Sequence, residues 1–151
     1  MDIYNTPKIA WQHMLQFIDK NTKLWLPFYN DGTALKLLND MGFSKVIHEK
    51  KDFFDSFEDD AVVIDNPPYS IKRSIIERLY KKQISFALLL PLETLGNSYM
   101  SKYMDTLQLI IPWSRYSFNP DQKKQGPFKA CWFCWNMAEL IGSNKTIICV
   151  K

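Results

Sequence analysis

The sequence predicts a three-layer α/β sandwich, and three observations predict it. Ala61-Val62-Val63-Ile64 is a continuous apolar, β-branched run, the pattern of a strand covered on both faces in a parallel sheet. Apolar residues recurring every three or four positions separate that run from others like it, so strands alternate with helices. The length of 151 residues with 46% hydrophobic content matches one domain, residues 1–151, that buries roughly 70% of the surface of its unfolded chain.

Thr6-Pro7 reads as an N-cap with proline at the first helical position, and Trp11, Met14, Leu15 and Ile18 then mark a helix over 7–20. The run from Leu24 to Phe28 reads as a strand that enters the tight turn Tyr29-Asn30-Asp31-Gly32. Ala34, Leu35, Leu38 and Met41 follow at helical spacing and stop at Gly42. Residues 45–48 and 61–64 read as the next two strands. Ile71, Ile75, Ile76 and Leu79 form the inward stripe of a helix over 71–82, and Ser85 to Leu90 reads as a strand. Tyr99, Met100, Tyr103, Met104 and Leu107 give another helical stripe, with strands at 109–111 and 130–135 after it. Between those strands, residues 114–129 are polar and irregular, the character of a functional loop.

Composition removes several classes. The chain is too apolar for disorder, and its longest apolar stretch, Phe86 to Leu92, falls far short of the ~18 residues a membrane-spanning helix needs. Three cysteines and a start with no basic leader point to a reduced, cytoplasmic interior. Cys131 and Cys134 form half a zinc motif with no second pair, and residues three apart on a strand face opposite ways, so they read as packing and no metal is expected. His13 and His48 have no Ser or Cys partner in a recognisable motif and read as core or surface residues. A net charge of +3 is nearly silent about partners. The aromatic share of 15% supplies core rings, with flat surfaces that can stack a base.

The chemistry concentrates at Asp65-Asn66-Pro67-Pro68-Tyr69-Ser70, at the carboxyl end of the strand 61–64, where open α/β sheets bind ligands. Two successive prolines remove two N–H donors, so the turn presents carbonyls, and the Asn66 side-chain oxygen adds a further acceptor. Such acceptors grip an amino group and hold its lone pair toward an electrophile, while the Tyr69 ring stacks on a planar base.

Asn66-Pro67-Pro68-Tyr69 resembles the catalytic tetrapeptide of S-adenosylmethionine-dependent amino methyltransferases, N6-adenine enzymes above all, including those of phages and other viruses. Tyr4-Asn5-Thr6-Pro7 is similar to the family's amino-terminal cofactor element, and Leu26-Pro27-Phe28-Tyr29-Asn30-Asp31-Gly32 to its glycine-bearing cofactor loop. Glu49 falls at the acidic position that holds the cofactor ribose, and Asp52-Phe53 resembles the pair on its adenine. Leu90-Pro91-Leu92, then Phe118-Asn119-Pro120, Gly126-Pro127-Phe128 and Ala130 to Phe133, resemble later family elements. The resemblance implies a Rossmann-like, class I methyltransferase fold, with catalytic Asn66, Pro67, Pro68 and Tyr69. It implies cofactor contacts at Tyr4, Thr6, Pro7, Pro27, Phe28, Asn30, Gly32, Glu49, Asp52 and Phe53.

Two departures shape the expected function. Leu26 stands where the family loop carries an acid, and Asn30 where it carries glycine; losing a charged hydrogen bond costs about 1.5–3 kcal/mol. No inserted target-recognition region is present, so specificity is expected from a partner subunit or homo-oligomer. Lys72 and Arg73 in the first turn of a helix, with Arg115, Lys123 and Lys124 in or beside the long loop, suit a phosphate backbone, though all five also read as a solvated face. The first functional reading is methylation of adenine N6 in DNA, with RNA second. The other is an inactive methyltransferase-like module that binds, inhibits or partners an active subunit.

Overall fold

A computed structural model describes residues 5–118 and 128–151. Its strands are β1 (Leu24–Trp25), β2 (Val46–Ile47), β3 (Val62–Asp65), β4 (Phe86–Pro91), β5 (Leu107–Pro112), β6 (Ala130–Trp135) and β7 (Ile147–Val150). The α-helices are α1 (Lys8–Leu15), α2 (Thr33–Asp40), α3 (Lys72–Lys81) and α4 (Ala138–Ile141). All seven strands join one mixed sheet in the order β2-β1-β3-β4-β6-β5-β7. Every pairing is parallel except those of β6, which runs antiparallel between β4 and β5.

Alternate strand residues feed two buried clusters, one on each face. Val62, Ile64, Ala87, Leu89, Trp132 and Cys134 pack with Trp11 and Met14 of α1, Leu38 of α2 and Ile141 of α4. Val63, Phe86, Leu88, Cys131 and Phe133 pack with Ile75, Ile76 and Leu79 of α3. The uninterrupted apolar runs thus arise because both faces are covered, and Cys131 and Cys134 do point opposite ways into packing. Among the described residues no cluster of three metal-ligating side chains occurs, and no helix is long and apolar enough to cross a membrane.

Several expectations need correction. The expected helix over 7–20 ends at Leu15, and its N-cap position is Pro7, not Thr6, with no side-chain cap. The first strand stops at Trp25, two residues before Pro27, which brings no ladder N–H. Residues 99–107 form no α-helix: 3₁₀ turns cover Leu92–Gly96 and Ser98–Tyr103, and Leu107 opens β5. Met100 and Tyr103, three apart, share the buried side because the 3₁₀ period is three. The elements α4 and β7 were not anticipated. Of the irregular stretch 114–129, residues 119–127 lie outside the described residues.

The topology positions a cleft. From β1 the chain crosses through α2 to β2 on one side, then returns to β3 on the other side of β1. Loops leaving β1 and β3 therefore diverge at their carboxyl ends, which opens a crevice at this switch point.

Candidate functional site

The crevice is a cleft of about 1220 Å³, with walls from the β1 loop, the segment after β2, the end of β3 and the strip around Phe118 and Phe128. Single ligand pockets commonly occupy about 300–1,000 Å³, so this cleft is larger than one such pocket requires. Asn66, Pro67, Pro68 and Tyr69 all line it. The Tyr69 ring meets Phe128 edge to face at 5.8 Å, leaving two aromatic surfaces on that wall.

Of the expected cofactor residues, Thr6, Pro27, Phe28, Asn30, Asp52 and Phe53 come together on the lining. Pro7 caps α1 beside it, and Gly32 lies in the loop without lining the cleft. Glu49 faces a different, smaller cavity of about 220 Å³ and pairs with Lys51; its predecessor His48 lines the large cleft instead. Tyr4 lies outside the described residues, as do Lys123 and Lys124. Lys72 and Arg73 open α3 just past the cleft, and Arg115 follows β5; none of the three lines it. Arg73 is engaged by Glu77 at 3.0 Å and lies 5.3 Å over the Tyr99 ring.

The β1 loop is held in shape by its own polar groups. Asn30 adopts φ 53° and Gly32 φ 82°, left-handed values open to asparagine and glycine. Asp31 accepts hydrogen bonds from the Thr33 N–H at 3.0 Å and the Thr33 hydroxyl at 2.8 Å, and from the Asn5 amide at 3.1 Å. The Asn5 carbonyl oxygen in turn accepts from Asn30 at 3.1 Å. The segment before α1 is thereby tied to the loop, the two pieces whose sequences resemble cofactor elements. The Thr33 N–H, then its hydroxyl, hold the Asp31 carboxyl below its ordinary range, so it is ionised on the cleft wall.

Behind the loop lies Asp65, buried at the end of β3. One oxygen accepts from the Phe28 N–H and the other from the Asn66 N–H, each at 2.8 Å, so a single side chain joins both strand ends that frame the cleft. Burial pushes its pKa up to about 8, outweighing the two N–H donors that act the other way. Next to it, the Asn66 Oδ1 is buried with no hydrogen-bond partner among the described residues, and so is Nε2 of His48. Buried polar atoms are rarely left alone, so both mark places where a ligand's donors can sit.

Asp31, Asp65 and His48 line the cleft although motif reading gives them no role of their own. Asp31 and Asp65 flank recognised residues, but their roles depend on partners that a motif does not specify. His48 is legible only once the direction of its side chain at the end of β2 is known. No protein-family model matches the chain, and none of the curated proteins does.

Proposed function

We propose that the chain has a Rossmann-like, class I methyltransferase fold and transfers a methyl group from S-adenosylmethionine to the N6 amino group of adenine, in DNA by preference and RNA second. The observation that carries this reading is Asn66-Pro67-Pro68-Tyr69 on the cleft at the switch point, with the Asn66 Oδ1 buried and without a partner among the described residues. A tetrapeptide with an unsatisfied acceptor and two prolines that bring no N–H suits an amine substrate.

The cleft's chemistry fits the cofactor. Thr6, Phe28, Asn30, Asp52 and Phe53 would hold it, and the ionised Asp31 on the same lining suits a cationic group. When bound, S-adenosylmethionine supplies an electrophilic methyl on a sulfonium. The Asn66 oxygen and the Pro67 carbonyl would accept the two hydrogens of the adenine amino group and leave its lone pair free for that methyl. Asn66 and Pro67 would hold the nitrogen while it takes up the methyl, and the nitrogen's surplus proton would leave to water. Tyr69 stacks on the base, which must leave the duplex to reach the cleft. Target choice falls to a partner subunit or a second copy.

A second reading, an inactive binding module, rests on Leu26. Its side chain is fully buried and offers no carboxylate where the family loop carries one. Incubation with methyl-labelled S-adenosylmethionine and mixed-sequence DNA and RNA separates the two. Label in N6-methyladenine supports the enzyme; cofactor binding with no transfer to either polymer rejects it in favour of the module.

A further inference from the structure

Trp113 is the one tryptophan that the fold leaves in solvent: it is 64% exposed, while Trp11, Trp25, Trp132 and Trp135 are buried. It follows β5 directly. Because β4 and β5 both run antiparallel to β6, and β3 runs parallel to β4, β3 and β5 end on the same edge of the sheet. Three strand spacings, about 14 Å, separate them. Trp113 does not line the cleft, yet a continuous segment joins the two. Phe128, whose ring meets Tyr69 on the cleft wall, is followed by Lys129, and the Lys129 Nζ donates to the Trp113 carbonyl oxygen at 3.3 Å.

The indole is held in place and bracketed by cations. The Trp113 N–H donates to the Val150 carbonyl oxygen at 2.9 Å, and the Lys151 ammonium lies 5.1 Å from the ring centroid. Lys151 is anchored in turn, its carbonyl oxygen accepting from Nε2 of His13 at 3.1 Å. Neither Lys129 nor Lys151 pairs with a carboxylate among the described residues. An ammonium carries three donors, so Lys129 keeps two for a phosphate. The cation–π contact of Lys151 is weak at an exposed site, so a phosphate can draw that ammonium off the ring. A broad exposed ring between two such cations is complementary to a polyanion that carries planar groups, which is a nucleic acid with unpaired bases. An acidic peptide matches the charges and leaves the ring unused.

Resting on the reading of nucleic acid as substrate, we infer that Trp113, with Lys129 and Lys151, is a second contact on single-stranded nucleic acid, outside the cleft. An unpaired base several nucleotides from the target adenine stacks on the indole, and the two lysines hold the phosphates beside it. The strand runs from the cleft along Phe128 and Lys129. Every base has a flat face, so this contact adds affinity without target choice.

Oligothymidylate of about twelve nucleotides, within the usual span of single-strand sites, contains no adenine and tests the contact apart from the cleft. The wild type is expected to bind it with a fall in tryptophan fluorescence, which reports Trp113 because the other four indoles are buried. Trp113→Phe keeps a stacking ring, so it should bind a labelled strand within about 2-fold of the wild type by anisotropy and show no such fall. Trp113→Ala should weaken binding about 5-fold or more with an unchanged thermal melt. Lys129→Gln, which retains a donor for the Trp113 carbonyl, and Lys151→Gln should each flatten the slope of log affinity against log salt by about 0.7, the value for one phosphate of a single strand. Wild-type fluorescence indifferent to the strand, or binding unchanged in Trp113→Ala, overturns the inference. So does an equal Trp113→Ala loss for a polyglutamate peptide, which would make the patch a dock for acidic protein segments. The methyl-transfer assay keeps the two readings apart. Label in N6-methyladenine together with any of those outcomes strikes the second contact alone, whereas the expected oligothymidylate binding with no label in either polymer strikes the enzyme alone.

Discussion

Asp65 keeps its proton because it is buried, and this gives it a signature in the pH dependence of folding. Between the ordinary value of 3.8 and about 8, the unfolded chain has released a proton that the folded chain retains. Stability contributed at this site therefore falls as pH rises through that window, by at most about 1.4 kcal/mol per pH unit, and is level below and above it. Asp65→Asn removes the titration but leaves one of the two N–H groups, of Phe28 or Asn66, without an oxygen, at a cost of about 1–3 kcal/mol. Thermal melts from pH 5 to 8 should show a steeper decline for the wild type than for the variant; parallel declines reject the assignment. The neighbouring residue behaves in the opposite sense. The Asn66 Oδ1 makes no hydrogen bond among the described residues, so Asn66→Ala should leave the melting temperature equal or higher, while methyl transfer drops about 100-fold or more. A variant that loses activity only in proportion to lost folded protein would show Asn66 to be structural.

The β1 loop is the element on which both halves of the cleft depend. A methyl group added at Gly32, where φ is 82°, would approach the Tyr29 hydroxyl to 2.6 Å and its ring to 2.9 Å. The backbone strain costs about 1 kcal/mol or more, and the displaced ring is the one stacked on His48. Gly32→Ala should thus lower the melting temperature by a few degrees and weaken S-adenosylmethionine binding together, read by melts and calorimetry; a binding loss without a stability loss would contradict this coupling. The loop also shows why parts of the fold were legible and others were not. Residues 61–64, 85–90 and 130–135 declare themselves because a strand covered on both faces must be apolar throughout. Residues 99–107 mislead because a spacing of three serves a 3₁₀ turn as well as an α-helix, and Met104, read as part of the stripe, is exposed. Strand β7 hides for a different reason: it is an edge strand with Ile147 and Cys149 exposed, so no continuous run announces it. In the cleft, Asn66 to Tyr69 could be read from residue types alone, whereas Asp65 acts through Phe28, 37 positions away, a contact that only folding creates.

At the scale of the whole molecule, the proposed nucleic-acid substrate raises the question of how a chain with a net charge of only +3 would engage a polyanion. A general field is too weak, so under the proposed function binding would rest on local cations at the cleft's edge. Lys72 and Arg73 begin α3 directly after the 3₁₀ turn Tyr69–Ile71, placing them beside the wall where a base would stack. Lys123 and Lys124 fall outside the described residues, so the test uses Lys72 and Arg73. Arg73 already pairs with Glu77, mostly exposed, an interaction that salt weakens and a phosphate can replace. Each cation that neutralises one phosphate contributes about −0.9 to the slope of log affinity against log salt for duplex DNA. Lys72→Ala should accordingly flatten the slope by about 0.9 and weaken binding alike for all sequences. Arg73→Ala should flatten it less, because the ion pair with Glu77 already offsets part of its charge, and Glu77→Gln should steepen it by releasing Arg73. Tyr69→Ala should remove about 1–3 kcal/mol of stacking on an unpaired base and leave the slope unchanged. Fluorescence anisotropy with several unrelated oligonucleotides at four salt concentrations measures all of these at once. If Lys72→Ala leaves the slope unchanged, the start of α3 is a solvated face and not a phosphate contact; if the chain alone binds one sequence tightly above the others, target choice resides within it and needs no partner subunit.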